Sequence, residues 1–207
     1  CAEIDWYPQS GVVEQSKLHD LANLRAQLSL KRPVDVFSEF LPKHMDHGVS
    51  TKKFLTDLTR HTPRDFIALL TQIQRAAKGS PVAKAEIVEG AKLYSEKYFL
   101  PEIKDELVGY VSPRELQMFL NSVGEIHERR FSMSTLGKVA STLGLQRDKL
   151  DVLMHALFSA SAVGMTWRDS HSKQERFEFK FRNPNASFSP KRTVVLHKGL
   201  WKALNVT

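Results

Sequence analysis

Apolar residues recur at helical spacing over most of the chain. Over residues 17–30 the positions Leu18, Leu21, Ala22, Leu24 and Leu28 predict an amphipathic helix. Residues 34–45 carry Val36, Phe37, Phe40 and Leu41 and predict a second, with Pro42 near its end. Residues 50–60 set Phe54, Leu55 and Leu58 on one side of a short third. At Thr62-Pro63-Arg64-Asp65 the signal is sharper. Thr62 suits the N-cap, Pro63 the first helical position, and Asp65 complements the helix dipole. Phe66, Leu69, Leu70, Ile73 and Ala77 continue that helix to Gly79. Ser80-Pro81 repeats the device ahead of a helix with Ile87, Ala91, Tyr94 and Tyr98 on one face, interrupted by Pro101. Ser112-Pro113-Arg114-Glu115 repeats it again and adds a capping-box glutamate. Successive capped helices joined by short loops predict a helical bundle.

After residue 111 the pattern changes. Three helices are predicted, over 115–129, 134–143 and 147–162, the last two joined by a turn at Gly144. Residues 163–167 read as a short strand. Phe177, Phe179 and Phe181 alternate with Glu178, Lys180 and Arg182, the period of a half-buried strand. A loop with two prolines, 183–190, leads to a β-branched run over 193–197, so the two runs read as a hairpin with a long tip. Leu200, Trp201 and Leu204 fold a short tail back onto apolar surface. Helix, turn, helix and hairpin together predict a winged helix. The expected fold is mainly α: a helical bundle over 1–110, then a winged-helix domain over 111–207.

Net charge changes this picture because it is unevenly placed. The chain carries +7. Residues 1–131 are balanced at 18 Lys/Arg and 18 Asp/Glu, whereas residues 132–207 hold 12 against 5. A basic surface is the electrostatic footprint of a polyanion, double-stranded DNA above all, and serves an acidic protein surface equally well. The cations on the expected wing are Arg168, Lys173, Arg176, Lys180, Arg182, Lys191, Arg192 and Lys198, facing Asp169, Glu175 and Glu178. The helix over 147–162 is nearly all apolar after its first turn; only Arg147, Lys149 and His155 could reach out. That composition opposes base reading and favours phosphate contact, which positions without specifying. The wing phenylalanines read as core, with Phe188 in the loop as a candidate stacking platform.

Other chemistry is thin. His44 and His47 have a spacing that holds zinc on a helix, but a site needs three or four ligands and no second cluster is visible. They read as exposed histidines near a helix end, and no metal is expected. His19, His61, His127, His155 and His171 read as surface or satisfied core residues. No Gly-x-Ser-x-Gly, His-Glu-x-x-His or paired-carboxylate motif occurs, so the chain is not expected to be an enzyme. The single cysteine cannot form an internal disulfide, which predicts a reducing, cytoplasmic setting. No run of eighteen apolar residues predicts a membrane span. The sequence begins at Cys1 without an initiator Met, as a fragment or a processed chain would.

Several stretches carry a resemblance. Arg60-His-Thr-Pro-Arg-Asp65 resembles the Arg-x-x-Pro-Arg-Asp stretch in the helical lid of bacterial P-loop ATPases of the FunZ type, related to the AAA+ and STAND classes. Ala91-Lys-Leu-Tyr-Ser95 is similar to that group's lid segment. Phe181-Arg-Asn-Pro184 and His197-Lys-Gly-Leu-Trp-Lys-Ala-Leu204 are similar to its C-terminal stretches. The resemblance implies a lid whose Arg64 reaches bound nucleotide as a second sensor. It also implies an upstream ATPase core as partner. The chain departs from the group in having no Gly-x-x-x-x-Gly-Lys-Ser/Thr; Gly90-Ala91-Lys92 lies within a helix. No cofactor is therefore expected in this chain, with ATP bound only by the missing upstream domain. Two functions fit: a non-catalytic regulatory module of such an ATPase, or a free-standing winged-helix transcription regulator. Arg64 could instead pair with Asp65, Asp57 or Glu39 at the surface.

Overall fold

A computed structural model describes residues 6–7, 12–170 and 172–206. The chain is mainly helical and ends in a small four-stranded antiparallel sheet. It divides into two units, Cys1–Tyr94 and Ser95–Thr207. The turn around the expected boundary, where Val108 bridges Val111, lies inside the second unit.

The first unit is built on α1 (Lys17–Leu30), α2 (Val36–Glu39), α3 (Thr51–Thr56), α4 (Pro63–Ala76) and α5 (Lys84–Tyr94). Side chains of Ser16, Asp35, Ser50 and Thr62 each accept a backbone N–H at a helix start. The second expected helix is cut to one turn. Asn23 on α1 accepts the N–H of Val36 at 2.9 Å and, with Asp35, pins its start. Pro42 then forbids its continuation, and the chain doubles back. Met45 donates to the Val49 carbonyl, His47 and Gly48 are left-handed, and Thr51 Oγ1 donates to the Pro42 carbonyl. His44 and His47 thus sit, exposed, on this reversal rather than near a helix end. Ser80-Pro81 does not start a helix either: α5 begins at Lys84, and Glu86 accepts the N–H groups of Lys78 and Ala83.

α4 and α5 lie against each other through Gly90. A Cβ there would come within 2.5 Å of the Ile73 Cα, so only glycine admits this approach. Phe66, Leu69, Ile73, Ile87, Ala91 and Tyr94 are buried. His19 is a satisfied core residue: its Nε2 lies 2.8 Å from Thr56 Oγ1, and its ring meets Phe37 edge-on at 4.8 Å.

The second unit opens with a π-helical turn, Ser95–Phe99, followed by α6 (Leu100–Glu106). One extra residue in the turn shifts the inward face from the expected Tyr98 to Phe99 and then Ile103, both buried, and seats Pro101 in the first turn of α6. α7 (Pro113–Ile126) carries the expected capping box. β1 (Arg130–Phe131), α8 (Met133–Thr142), α9 (Arg147–Ser159), β2 (Val163–Arg168), β3 (Glu175–Glu178) and β4 (Thr193–Leu196) follow. Gly144, at φ 87°, turns the chain between α8 and α9.

The strands are not joined as the alternation predicted. The order is β1-β4-β2-β3, all neighbours antiparallel. The tight hairpin is β2–β3, with Arg168 opposite Glu175. β4 pairs with the other edge of β2, Thr193 opposite Thr166, so the two runs expected to pair are separated by β2. β3 ends at Glu178 because Phe179 turns over Gly164. A Cβ on Gly164 would meet that ring at 2.8 Å and the Glu178 carbonyl at 2.7 Å. The three phenylalanines therefore do not share one buried face: Phe179 is buried, whereas Phe177 lies exposed beneath Arg130. The loop after β3 packs inward as well. Phe188 is buried against Phe158 and the edge of His155, and is core rather than a stacking platform.

Candidate nucleic-acid interface

Strand register decides which cations come together. Arg168 ends β2, Lys173 lies in the β2–β3 turn, and Arg176 stands opposite Trp167. Lys191 and Arg192 precede Thr193, which faces Thr166, so they lie beside the same end of β2. These five expected residues gather at one end of the sheet. Arg130 joins them. Its side chain crosses from β1 to Glu175 at 2.6 Å and covers the Phe177 ring at 5.0 Å. Reading the sequence missed Arg130 because a two-residue strand leaves no periodic trace.

The roles within the cluster differ. Arg192 lies 3.6 Å over the Trp167 ring and donates to Glu178 at 3.0 Å, so it is part of the fold rather than a spare loop cation. Arg176 stands 3.8 Å from Asp169, and Arg168 Nε donates to the Lys173 carbonyl at 2.9 Å. Lys173 and Lys191 are exposed. Six cations thus face the three carboxylates Asp169, Glu175 and Glu178, a surplus of three.

The other three expected residues lie elsewhere. Lys180 donates to the Ala186 carbonyl at 2.8 Å and holds the loop. Arg182 lies over Phe179 and Phe181 at 5.8 and 5.6 Å. Lys198 opens a short 3-10 turn, Lys198–Leu200, just after the opposite end of β4. Beside it His197 is buried, its Nδ1 accepting the Gly199 N–H at 3.0 Å and its ring stacked on Phe99. Ser95 Oγ donates to the Gly199 carbonyl and accepts the Ala203 N–H. The His-x-Gly-Leu-Trp stretch is therefore a clamp between the π turn and the tail. Trp201 completes it by donating to the Leu196 carbonyl, with Arg129 over its ring.

In the first unit Arg64 is exposed in the first turn of α4. Asp65 beside it is buried and bound by Arg60, Nε to Oδ2 at 2.9 Å and Nη2 to Oδ1 at 3.1 Å. Lys53 binds Asp57 at 3.0 Å and Arg32 binds Glu39 at 2.8 Å. Among the described residues no cluster of three His, Cys, Asp or Glu could hold a metal ion. His171 lies outside them. No described helix is long and apolar enough to cross a membrane.

A capped helical segment leading into a short-stranded antiparallel sheet is the class of protein these features define. Within it, residues 16–100 match the family described as the FunZ-associated C-terminal helical domain. The match spans α1 to α5 and the π turn, and so includes Arg64 and the Arg60–Asp65 pair. Neither a curated protein nor a solved structure matches the chain.

Proposed function

We propose that this chain is a non-catalytic regulatory module of a P-loop ATPase, a helical lid followed by a winged helix that grips duplex DNA through its phosphates. The family match to the helical segment supports the first part. The succession α7, β1, α8, α9, β2, β4, with β4 between β1 and β2, supports the second, β3 being an added strand within the wing. In this reading Arg64 is the lid residue turned toward nucleotide held by an upstream core, from a helix start whose dipole disfavours a cation.

The observation that carries the DNA assignment is the cation surplus at one end of the sheet, set beside the character of α9. Of the exposed α9 side chains that could read bases, Arg147 lies 3.6 Å from Asp151, Lys149 lies 3.8 Å from Glu115, and His155 meets the Phe188 ring edge-on, so each is engaged by a neighbour. Phosphate contact without base reading follows. With about three phosphates neutralised, log affinity should fall with log salt at a slope of about −2.7 and show no sequence preference. Lys173→Gln/Lys191→Gln, at two exposed positions, should flatten the slope to about −0.9 and weaken all duplexes alike. Titration of unrelated duplexes at two salt concentrations makes the measurement. No binding at low salt would overturn the assignment in favour of an acidic protein surface.

A further inference from the structure

Two exposed surfaces on this chain are complementary to each other. The first is the outer face of α1. Leu24 and Leu28 are 53% and 71% exposed although they lie on a fourteen-residue helix. Residues 17, 24 and 28 fall on one side at helical spacing, which brings Lys17 into line with the two leucines, and Lys31 follows as the left-handed C-cap. Arg25 flanks the row on one side and Asp20 on the other, all four charged residues being exposed. The face is apolar in its centre and carries a cationic surplus.

The second is a groove of about 610 Å³ in the second unit, between the end of α6 and the outer side of α9. Its apolar lining includes Tyr110 and Val152, 61% and 46% exposed, and Val108 beside Tyr110 is 76% exposed. Its charged lining is acidic: Glu106 from α6 and Asp151 from α9, with His155 further along. Asp151 also lies 3.6 Å from Arg147 one turn back, an exposed pair of the kind that contributes little. Exposed apolar patches rimmed by charge mark interaction sites.

We infer that the α1 face of one copy seats in the α6–α9 groove of a second copy. The leucines would meet Tyr110 and Val152, and Lys17, Arg25 and Lys31 would meet Glu106 and Asp151. Donor and acceptor surfaces are different, so the contact is heterologous, and every copy carries one of each. A contact of one helix face is small, so association is weak and concentration-dependent. Its charge complementarity makes it weaken with salt. This inference is independent of the nucleic-acid reading, because it uses neither the wing nor Arg64.

Sedimentation velocity of the 207-residue chain between about 10 µM and about 1 mM, at low and high salt, tests it; that span covers weak association. The mass-average should climb above that of the monomer at low salt and fall back at high salt. Leu28→Glu and Val152→Glu alter exposed positions and should each leave circular dichroism and thermal unfolding unchanged while holding the chain monomeric. An equimolar mixture of the two variants retains one intact face and one intact groove, and should form a dimer that does not extend. A wild type that stays monomeric throughout overturns the inference. So does either variant associating like wild type, or a mixture that remains monomeric.

Discussion

Asp65 concentrates more of the first unit's local order than any neighbouring residue. It is 1% exposed, bound through both oxygens by Arg60, and also accepts the Arg60 backbone N–H at 3.2 Å. Removing one partner of such a pair strands a buried charge. Asp65→Ala should therefore destabilise the chain by about 3 kcal/mol in urea unfolding, toward the low end for buried pairs. Glu115 has a milder role at the start of α7. The Ser112 backbone N–H, then the Ser112 side chain, hold its carboxyl below its ordinary value of 4.5, with Lys149 assisting. Because the folded value is depressed, the contribution is complete above pH 4.5 and is lost as pH falls through the lower folded value. The stability difference between wild type and Glu115→Gln should thus be constant near neutrality and shrink in acid, as thermal unfolding across that range would register. A difference that grows in acid would contradict the capping geometry.

Pairs of elements are held by close approach as much as by apolar area. α4 and α5 meet where Gly90 faces Ile73, and the backbone of Ile73 leaves no space for a methyl group. Gly90→Ala removes a helix-weakening residue, which alone would stabilise by up to about 1 kcal/mol. The clash is with backbone and cannot be relieved by a rotamer change, so overpacking should win by about 1–3 kcal/mol net destabilisation. Denaturant titration gives the sign directly. A stabilised Gly90→Ala would mean that the helices separate without cost. The π turn works on the same scale. By inserting a residue it turns Phe99 and Ser95 inward, where Ser95 can hold Gly199 and Ala203.

For the whole molecule, the sites open to proteases follow from burial. The turn with Val108, Gly109 and Tyr110 is exposed, as is Lys173 at the β2–β3 tip. Limited digestion should therefore cut first after Tyr110 with chymotrypsin and after Lys173 with trypsin, leaving α4, α5 and α7 whole. Early cleavage after Arg192, which is stacked on Trp167 and paired with Glu178, would speak against the wing geometry.

Much of this architecture is decided locally, and that part was legible in the sequence. Thr62-Pro63, Ser112-Pro113 with Glu115, and Gly144 act on their own neighbours, so the starts of α4 and α7 and the turn before α9 could be placed from composition alone. The helical class and the basic C-terminal third were equally open to reading. Strand partnership was not, because a period of two states that a strand has two faces and is silent on which strand lies beside it. β2 came to separate the two expected partners through the close fit of Phe179 over Gly164 and the burial of Phe188, contacts between residues distant along the chain. The same holds for the candidate site. Charge counting found the cations, but register alone brought Arg130 into their company, assigned Arg192 to Trp167 and Glu178, and sent Lys180 and Arg182 elsewhere. Side-chain chemistry is a property of the residue; whether a cation faces solvent, a ring or a carboxylate depends on what folding places next to it.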